Sequence, residues 1–359
     1  MSPRDEQIAD ALIGRQIDIF RFTAGERTRV LEILKRLEED LVELLFFSGR
    51  KLTEIGRADK AALLRQAQTV ISQYYGEAAD EVGKSLGGLG ELEGRAVAAD
   101  LAAGFASAIK PALPTQGFFS NLVRDTLIQG APSADWWKRQ AGDTAFRFAN
   151  EVRQGLAAAE TNAQIIRRIT GTKTLPGLMS TARHNAAALV QSSVQTVAAA
   201  SRMETFAANA DVLKGYRQLS TLDGHTTVIC VAYSGKTWDL ERNPTGGHDL
   251  PFVNPTGSAS GTPRHWNCRS LISVITKSFR ELGLDIPEWR PSTRAASGGP
   301  VAAGTTFEQF LDRKGPAFAN ELLGPGRADL WRDGKITLTQ LLDQNGRPLT
   351  LAELRKKYE

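Results

Sequence analysis

Three of the four histidines and both cysteines of this chain lie within residues 225–268. They are His225, Cys230, His248, His265 and Cys268, and their side chains are metal ligands, acid–base groups or disulfide partners. Two of them stand in the octapeptide PRHWNCRS, which follows a long segment rich in Gly, Pro, Ser and Asn. This part of the chain is therefore the first place to look for chemistry.

Three kinds of chemistry fit these residue types. His225, Cys230, His265 and Cys268 supply the four nitrogen and sulfur ligands that tetrahedral zinc prefers, although their spacing is unlike that of common zinc modules. Cys230 and Cys268 could instead form a disulfide that closes the loop between them. A histidine and an asparagine close together, with Asp223 upstream, also resemble the residues of small metal-dependent nucleases, but no second acidic cluster accompanies them.

The remaining interpretation is structural. Cys268 would be a small buried residue, His265 and Asn267 would hydrogen-bond the loop, and Arg269 would pair with a neighbouring carboxylate. The sequence has no phosphate-binding GxxxxGK[ST] loop, no GxSxG elbow, no HExxH and no dinucleotide-binding GxGxxG. We therefore expect a protein that is not an enzyme and that needs no cofactor, with zinc as the alternative.

The elements that position these residues change character along the chain. An apolar residue recurs every three or four positions from Val30 to Leu44, which predicts an amphipathic helix. Its apolar stripe should be covered by a second helix, either 8–22 or 61–79, most simply in an antiparallel hairpin. The glycine-rich run Ser85–Arg95 predicts a turn between helices. After residue 209, short alternating runs predict strands, one of which includes the stretch TTVICVAY, so Cys230 and Cys268 are expected at strand ends.

These patterns predict an α+β fold, mainly helical in its N-terminal two thirds. Its expected segments are a helical N-terminal region at 1–130, a second helical part at 131–209, a small β-rich unit with a long loop at 210–290, a linker at 291–304 and a C-terminal tail at 305–359. The tail should end in a helix that begins with a Thr350–Glu353 capping box.

Charge and hydropathy narrow the function classes. The formal net charge is only +4, from 44 Lys and Arg against 40 Asp and Glu, which argues against a dedicated nucleic-acid binder. Local basic runs such as Arg167-Arg168 keep DNA as a candidate partner. No apolar stretch is long enough to span a membrane and the first residues are polar, so we expect a soluble protein made in the cytoplasm with no membrane partner.

Three stretches carry a resemblance to a known family. LSTLDGHTTVIC (Leu219–Cys230), YSGKTW (Tyr233–Trp238) and PRHWNCRS (Pro263–Ser270) are similar, in order and spacing, to the "LDxRT…C", "xGK" and "P..HPNCRC" elements of the phage head morphogenesis family, the Mu F-like minor capsid proteins. The matching positions are Asp223, Thr227, Cys230, Gly235, Lys236, Pro263, His265, Asn267, Cys268 and Arg269. The resemblance covers roughly 145–276, and 306–355 more loosely.

The resemblance implies a minor component of a tailed-phage or prophage head, assembled in the host cytoplasm at or near the portal. Its expected partners are the portal protein or the major capsid protein, with packaged DNA as a further candidate. Many members carry additional cysteines at the positions of Thr227 and Ser270, so this chain lacks part of such a cysteine set. That departure favours a structural role for Cys230 and Cys268. A metal-dependent nuclease acting through His265 and Cys268 is the alternative function.

Overall fold

The computed structural model describes residues 2–46, 51–255, 257–285 and 305–358, together with the backbone of 293–294 and 301–302. The α+β fold predicted from the sequence is confirmed. The helices are α1 Pro3–Phe46, α2 Arg57–Gly104, α3 Gln116–Asp125, α4 Ser133–Ala157, α5 Asn162–Thr170, α6 Leu178–Ala207, α7 Val228–Tyr233, α8 Phe307–Lys314, α9 Pro316–Leu323, α10 Pro325–Arg332 and α11 Leu351–Tyr358. The strands are β1 Leu127–Ile128, β2 Ala131–Pro132, β3 Leu213–Leu219, β4 Thr237–Asp239, β5 Pro244–Thr245, β6 Leu271–Thr276, β7 Thr293–Arg294 and β8 Val301–Ala302.

The chain forms two compact units. The helical unit consists of Phe20–Gly88 and Val123–Val194, and the mixed unit consists of Met1–Ile19, Leu89–Leu122 and Gln195–Glu359. This division does not follow the segments expected at 1–130, 131–209 and 210–290, because α1, α2 and α6 each contribute residues to both units. Most of the predicted linker 291–304 lies outside the described residues.

In the helical unit, α1 and α2 form the predicted antiparallel hairpin. Asp40 accepts a hydrogen bond from the hydroxyl of Tyr74 at 2.7 Å. Arg36, which precedes Asp40 on α1, pairs with Glu77, which follows Tyr74 on α2, so the two helices run in opposite directions. The predicted apolar stripe is buried at its first four positions, and Leu45 rather than Leu44 continues it. Fully buried residues of this stripe are Val30, Leu34, Leu37, Leu41 and Leu45.

The predicted turn at Ser85–Arg95 is wrong, because α2 continues without a break through all its glycines. In the mixed unit two of these glycines allow neighbouring elements to approach closely. A Cβ atom on Gly90 would lie 2.2 Å from a methyl carbon of Leu122, and one on Gly94 would lie 2.8 Å from the ring of Phe119. Ser201 on α6 donates a hydrogen bond to the carbonyl of Gly90 at 2.5 Å. Close helix packing, rather than a turn, explains the glycines here.

The mixed unit contains a four-stranded antiparallel sheet in the order β5-β4-β3-β6. β3 and β6 correspond to the predicted strands GYRQLST and CRSLISVIT, and they pair from Leu219 opposite Leu271 to Leu213 opposite Thr276. The beginning of α1 packs on this core, where Asp5 accepts hydrogen bonds from the backbone and side chain of Thr276 at 2.8 and 2.7 Å.

The stretch TTVICVAY is not a strand, contrary to the prediction. Residues Val228–Tyr233 form the short helix α7, and Cys230 lies on it, so only Cys268 stands beside a strand. Four of its six residues are buried, including Cys230 and Tyr233. An apolar run this short does not show whether its apolar residues recur with helical or strand spacing. Because α7 is buried on more than one side, its residues are as apolar as those of a buried strand.

The C-terminal helices α8 to α11 form a small core together with Leu222 and with Val231 of α7. Phe307, Phe310 and Leu354 are among its buried side chains. The predicted capping box of α11 is confirmed: the backbone and hydroxyl of Thr350 donate to the carboxylate of Glu353 at 2.7 and 2.9 Å. No helix in the described part of the chain is both long and apolar enough to cross a membrane.

Candidate functional site: a His/Cys cluster in the mixed unit

Cys230, His265 and Cys268 meet in the mixed unit, and we call them the His/Cys cluster. Cys230 projects from α7, and the other two lie in the turn that leads into β6. Their ligand atoms all lie within 4.8 Å of one another, and both cysteines are buried. Residues 35 or more positions apart in sequence are thus brought to one point by α7 and by the turn before β6.

The distances inside the cluster are short. The sulfur of Cys230 lies 3.6 Å from the sulfur of Cys268 and 3.3 Å from Nε2 of His265. The hydroxyl of Thr227, the residue before α7, lies 2.7 Å from the same Nε2. The two cysteines are free thiols at hydrogen-bonding distance, since a disulfide would require about 2.05 Å between the sulfurs.

The three groups shift one another's protonation. The hydrogen bond to Cys268 and burial raise the pKa of the Cys230 thiol well above its ordinary value. The hydrogen bond from Cys230 lowers the pKa of Cys268 well below its ordinary value, and His265 lowers it further despite burial. Burial lowers the pKa of His265, but the hydrogen bond and charge of Cys268 outweigh it and the net shift is upward. The arrangement therefore favours a thiolate on Cys268.

The structural interpretation of Arg269 is confirmed. Its guanidinium donates to both carboxylate oxygens of Asp223 at 2.5 and 2.6 Å. Asp223 also accepts a hydrogen bond from the backbone of His225 at 2.9 Å, and these bonds outweigh burial and lower its pKa. This ion pair ties the LDGHT stretch to the end of PRHWNCRS.

Other positions of the family resemblance have backbone roles. Gly235 adopts a left-handed φ of +76°, which permits the turn after α7, and its backbone N–H donates to Gln218 on β3 at 2.9 Å. The carbonyl of Lys236 accepts a hydrogen bond from the backbone N–H of Gln218 at 3.0 Å. Burial lowers the pKa of the Lys236 side-chain amine. Pro263 follows a cis peptide bond, and Asn267 has a left-handed φ of +59°.

Arg264, which the sequence analysis missed, is fully buried beside the cluster. Its guanidinium donates to the side chain of Gln218 at 2.5 Å and to the carbonyl of Phe252 at 2.9 Å, and it lies 3.5 Å from the ring centre of Tyr233. Burial lowers the pKa of Arg264 to about 10. A single arginine in a polar stretch predicts an exposed side chain, so no sequence signal marked this position.

The remaining histidines of this part of the chain are outside the cluster. His225 is exposed and lines the same small cleft as Cys230 and His265, which has about 190 Å³ of empty space. His248 packs edge-on against Trp238 with ring centres 5.3 Å apart and accepts a hydrogen bond from the backbone of Thr237. Of the four ligands in the alternative zinc hypothesis, the structure therefore brings together Cys230, His265 and Cys268 but not His225.

The helical unit presents a second candidate site, which we call the basic groove. It lies between the beginning of α2 and the second half of α4 and has about 1500 Å³ of empty space. Its apolar lining includes Leu63, Leu64, Ala145, Phe146 and Ala149, and its cations are Arg57, Lys60, Arg65 and Arg153. No carboxylate lines it, and none of these cations forms an ion pair with another residue in the described ranges.

Comparisons of the chain with family models, with curated proteins and with solved structures found no match. The resemblance to the head morphogenesis family therefore depends on the motif positions themselves.

Proposed function

We propose that this chain is a minor capsid protein of a tailed phage or prophage. It acts without catalysis in assembly of the virion head, in the host cytoplasm, at or near the portal. Its partner is the portal protein or the major capsid protein. The proposal starts from the resemblance over roughly 145–276, and the geometry of the matching positions supports it.

The observation that carries the proposal is that the motif residues mainly contact one another. Asp223 pairs with Arg269, Thr227 contacts His265, and Cys230 contacts both His265 and Cys268. Gly235 and Lys236 hydrogen-bond to β3 through their backbones. A motif of this kind preserves the shape of a small domain, which is what an assembly protein requires, rather than aligning groups around a substrate.

The docking surface we propose is the basic groove. The apolar stripe of α1 is covered by α2 within the helical unit, so it is not available to other head subunits. In the groove, by contrast, Phe146 is 66% exposed next to four cations without described carboxylate partners. An amphipathic helix with an apolar face and acidic flanks, contributed by a portal or capsid subunit, is complementary to this surface.

The nuclease alternative has less support from the geometry. No described carboxylate lines the cleft beside the His/Cys cluster, and Asp223 is engaged by Arg269. His225 and His265 line the cleft and are chemically able to act as general bases, but magnesium is usually bound through carboxylates, which the described lining does not supply. DNA contact stays a candidate through Arg167, since Arg168 is already paired with Glu151 and Glu160.

Co-expression with the portal and major capsid proteins of the same phage or prophage tests the proposal. We expect the chain to sediment with portal rings or proheads through a sucrose gradient and to be released when the salt concentration rises, because the groove is basic. A chain that stays at the top of the gradient in the presence of assembled proheads and portal rings would contradict the proposal. A matched assay of DNA cleavage with added divalent metal distinguishes the nuclease alternative, for which we expect no product.

A further inference from the structure

We propose that the His/Cys cluster binds a zinc ion, with Cys230, His265 and Cys268 as its three protein ligands. This site does not depend on the proposed function, because it follows from the geometry of three side chains. Two sulfurs and one imidazole nitrogen form a soft donor set that suits zinc better than magnesium or calcium.

The distances match those of a zinc site before any ion is placed. Zinc lies about 2.3 Å from cysteine sulfur and about 2.0–2.1 Å from histidine nitrogen, so a tetrahedral site separates two sulfurs by about 3.7 Å and a sulfur from a nitrogen by about 3.5 Å. The sulfurs of Cys230 and Cys268 are 3.6 Å apart, and the sulfur of Cys230 is 3.3 Å from Nε2 of His265. The ligand atoms of His265 and Cys268 lie within 4.8 Å of each other, so closing this third distance to about 3.5 Å requires a movement of about 1.3 Å at most.

The imidazole is oriented for ligation. Nδ1 of His265 lies 2.8 Å from the carbonyl oxygen of Trp266, which can only accept, so Nδ1 carries the proton and donates it there. The lone pair of Nε2 then faces both the hydroxyl of Thr227 at 2.7 Å and the sulfur of Cys230 at 3.3 Å, and a bound ion would replace the hydroxyl as its partner. A backbone carbonyl that fixes the tautomer of a ligating histidine is a common feature of zinc sites.

The sulfurs also have the surroundings that thiolate ligands need. Ser270, whose hydroxyl is a hydrogen-bond donor, lines the same cleft as Cys230. Such donors stabilise negative charge on sulfur in a buried site. Two thiolates and one divalent ion also sum to zero charge, which avoids a net charge in the protein interior.

An ion can reach the site from the cleft, whose lining includes Cys230 and His265 together with Thr227. Water in this cleft would complete the tetrahedron as the fourth ligand. Zinc bound here would join α7 to the turn that leads into β6, and its binding free energy would add to the stability of the mixed unit.

The experiment uses the full chain, purified under reducing conditions, loaded with zinc and dialysed against metal-free buffer. We expect stoichiometric zinc by elemental analysis. Replacement of zinc by cobalt should give the intense visible bands of a tetrahedral ion and a near-ultraviolet band from thiolate-to-cobalt charge transfer. A chain that retains no zinc, gives no such cobalt bands, or has lost two hydrogens to a disulfide by mass spectrometry would overturn the proposal.

Variants identify the ligands. Cys268→Ser and His265→Ala should each lower zinc affinity by tenfold or more, whereas His225→Ala, which changes an exposed histidine on the same cleft, should leave it unchanged. Equal zinc retention in all three variants, or loss of zinc in His225→Ala alone, would contradict the assigned ligand set. The cobalt spectrum of the unmodified chain decides the question even if a ligand variant fails to fold.

Discussion

The helical unit and the mixed unit are stabilised by different interactions. In the helical unit an apolar stripe on α1 is fully buried, and the ion pairs between α1 and α2, such as Arg36 with Glu77, lie at the exposed rim. In the mixed unit charged side chains enter the interior: Arg202 pairs with Glu93 where both are almost completely buried, and Arg264 is surrounded by aromatic rings and carbonyls.

The His/Cys cluster and the basic groove differ in the same way as the units to which they belong. The His/Cys cluster belongs to a unit whose interior contains paired charged groups such as Arg202 and Glu93, so its residues maintain structure and can bind an ion. The basic groove belongs to a unit whose apolar interior is complete without it, and it leaves Phe146 and four cations facing outward. An inward-facing polar network stabilises a domain, whereas an outward-facing apolar surface with one sign of charge is available to a partner.

The largest effect is expected where a buried charge loses its partner. Glu93→Leu should destabilise the protein by about 3–5 kcal/mol, because Arg202 is then left charged in the interior and Arg15 keeps only Asp100 as an ion-pair partner. The double variant Glu93→Leu with Arg202→Met should recover the part of this loss that comes from Arg202. Urea unfolding of both variants checks the comparison, and a double variant as unstable as the single one would show that charge is not the reason.

A cavity in the helical unit should have a somewhat smaller effect. Leu37 is completely buried on the apolar stripe of α1, and Leu37→Ala should lower the free energy of unfolding by about 3 kcal/mol. The same urea measurement applies. A loss below about 1 kcal/mol would mean that the stripe is not packed as the structure describes.

The ion pair between Asp223 and Arg269 is partly exposed and should contribute about 1 kcal/mol. Because its hydrogen bonds lower the pKa of Asp223 in the folded state, its contribution is complete above the ordinary carboxyl pKa of about 3.9 and is lost as the pH falls through the lowered value. Asp223→Asn should therefore be less stable than the unmodified chain at pH 7, and the difference should shrink on acidification. A difference independent of pH would exclude this cause.

The smallest effect is expected at the exposed rim of the helical unit. Lys35 and Glu39 approach to 3.8 Å with most of both side chains in solvent. Lys35→Ala should change the free energy of unfolding by less than about 0.5 kcal/mol, which makes it a control for Leu37→Ala on the same helix. A larger loss would indicate that rim ion pairs, and not only the apolar stripe, stabilise this unit.

The parts of the structure that could be predicted from sequence are those determined by neighbours a few residues apart. The stripe from Val30 to Leu41 and the capping box at Thr350–Glu353 are of this kind, since helical spacing and cap hydrogen bonds are local. The pairing of β3 with β6 was not specified by the sequence, but both strands were recognisable from their alternating residues.

The predictions that were wrong concern features that depend on contacts between residues far apart in the sequence. Gly90 and Gly94 mark a turn by composition, yet α3 and α6 pack against them and require small residues in a continuous helix. The helix α7 was mistaken for a strand because its burial comes from elements far away in sequence. Within the candidate site, His225 was expected among the ligands and Arg264 was overlooked, since only the folded loop decides which side chains point inward.

The central claim is that the mixed unit maintains a structural core while the helical unit docks onto the phage head through the basic groove. It is tested most directly by gradient sedimentation of the unmodified chain, Phe146→Asp and Leu175→Asp with proheads that contain the portal. Phe146 is 66% and Leu175 69% exposed in the same unit, but only Phe146 lines the groove. We predict that Phe146→Asp abolishes co-sedimentation and Leu175→Asp does not; equal binding of both variants would contradict the claim.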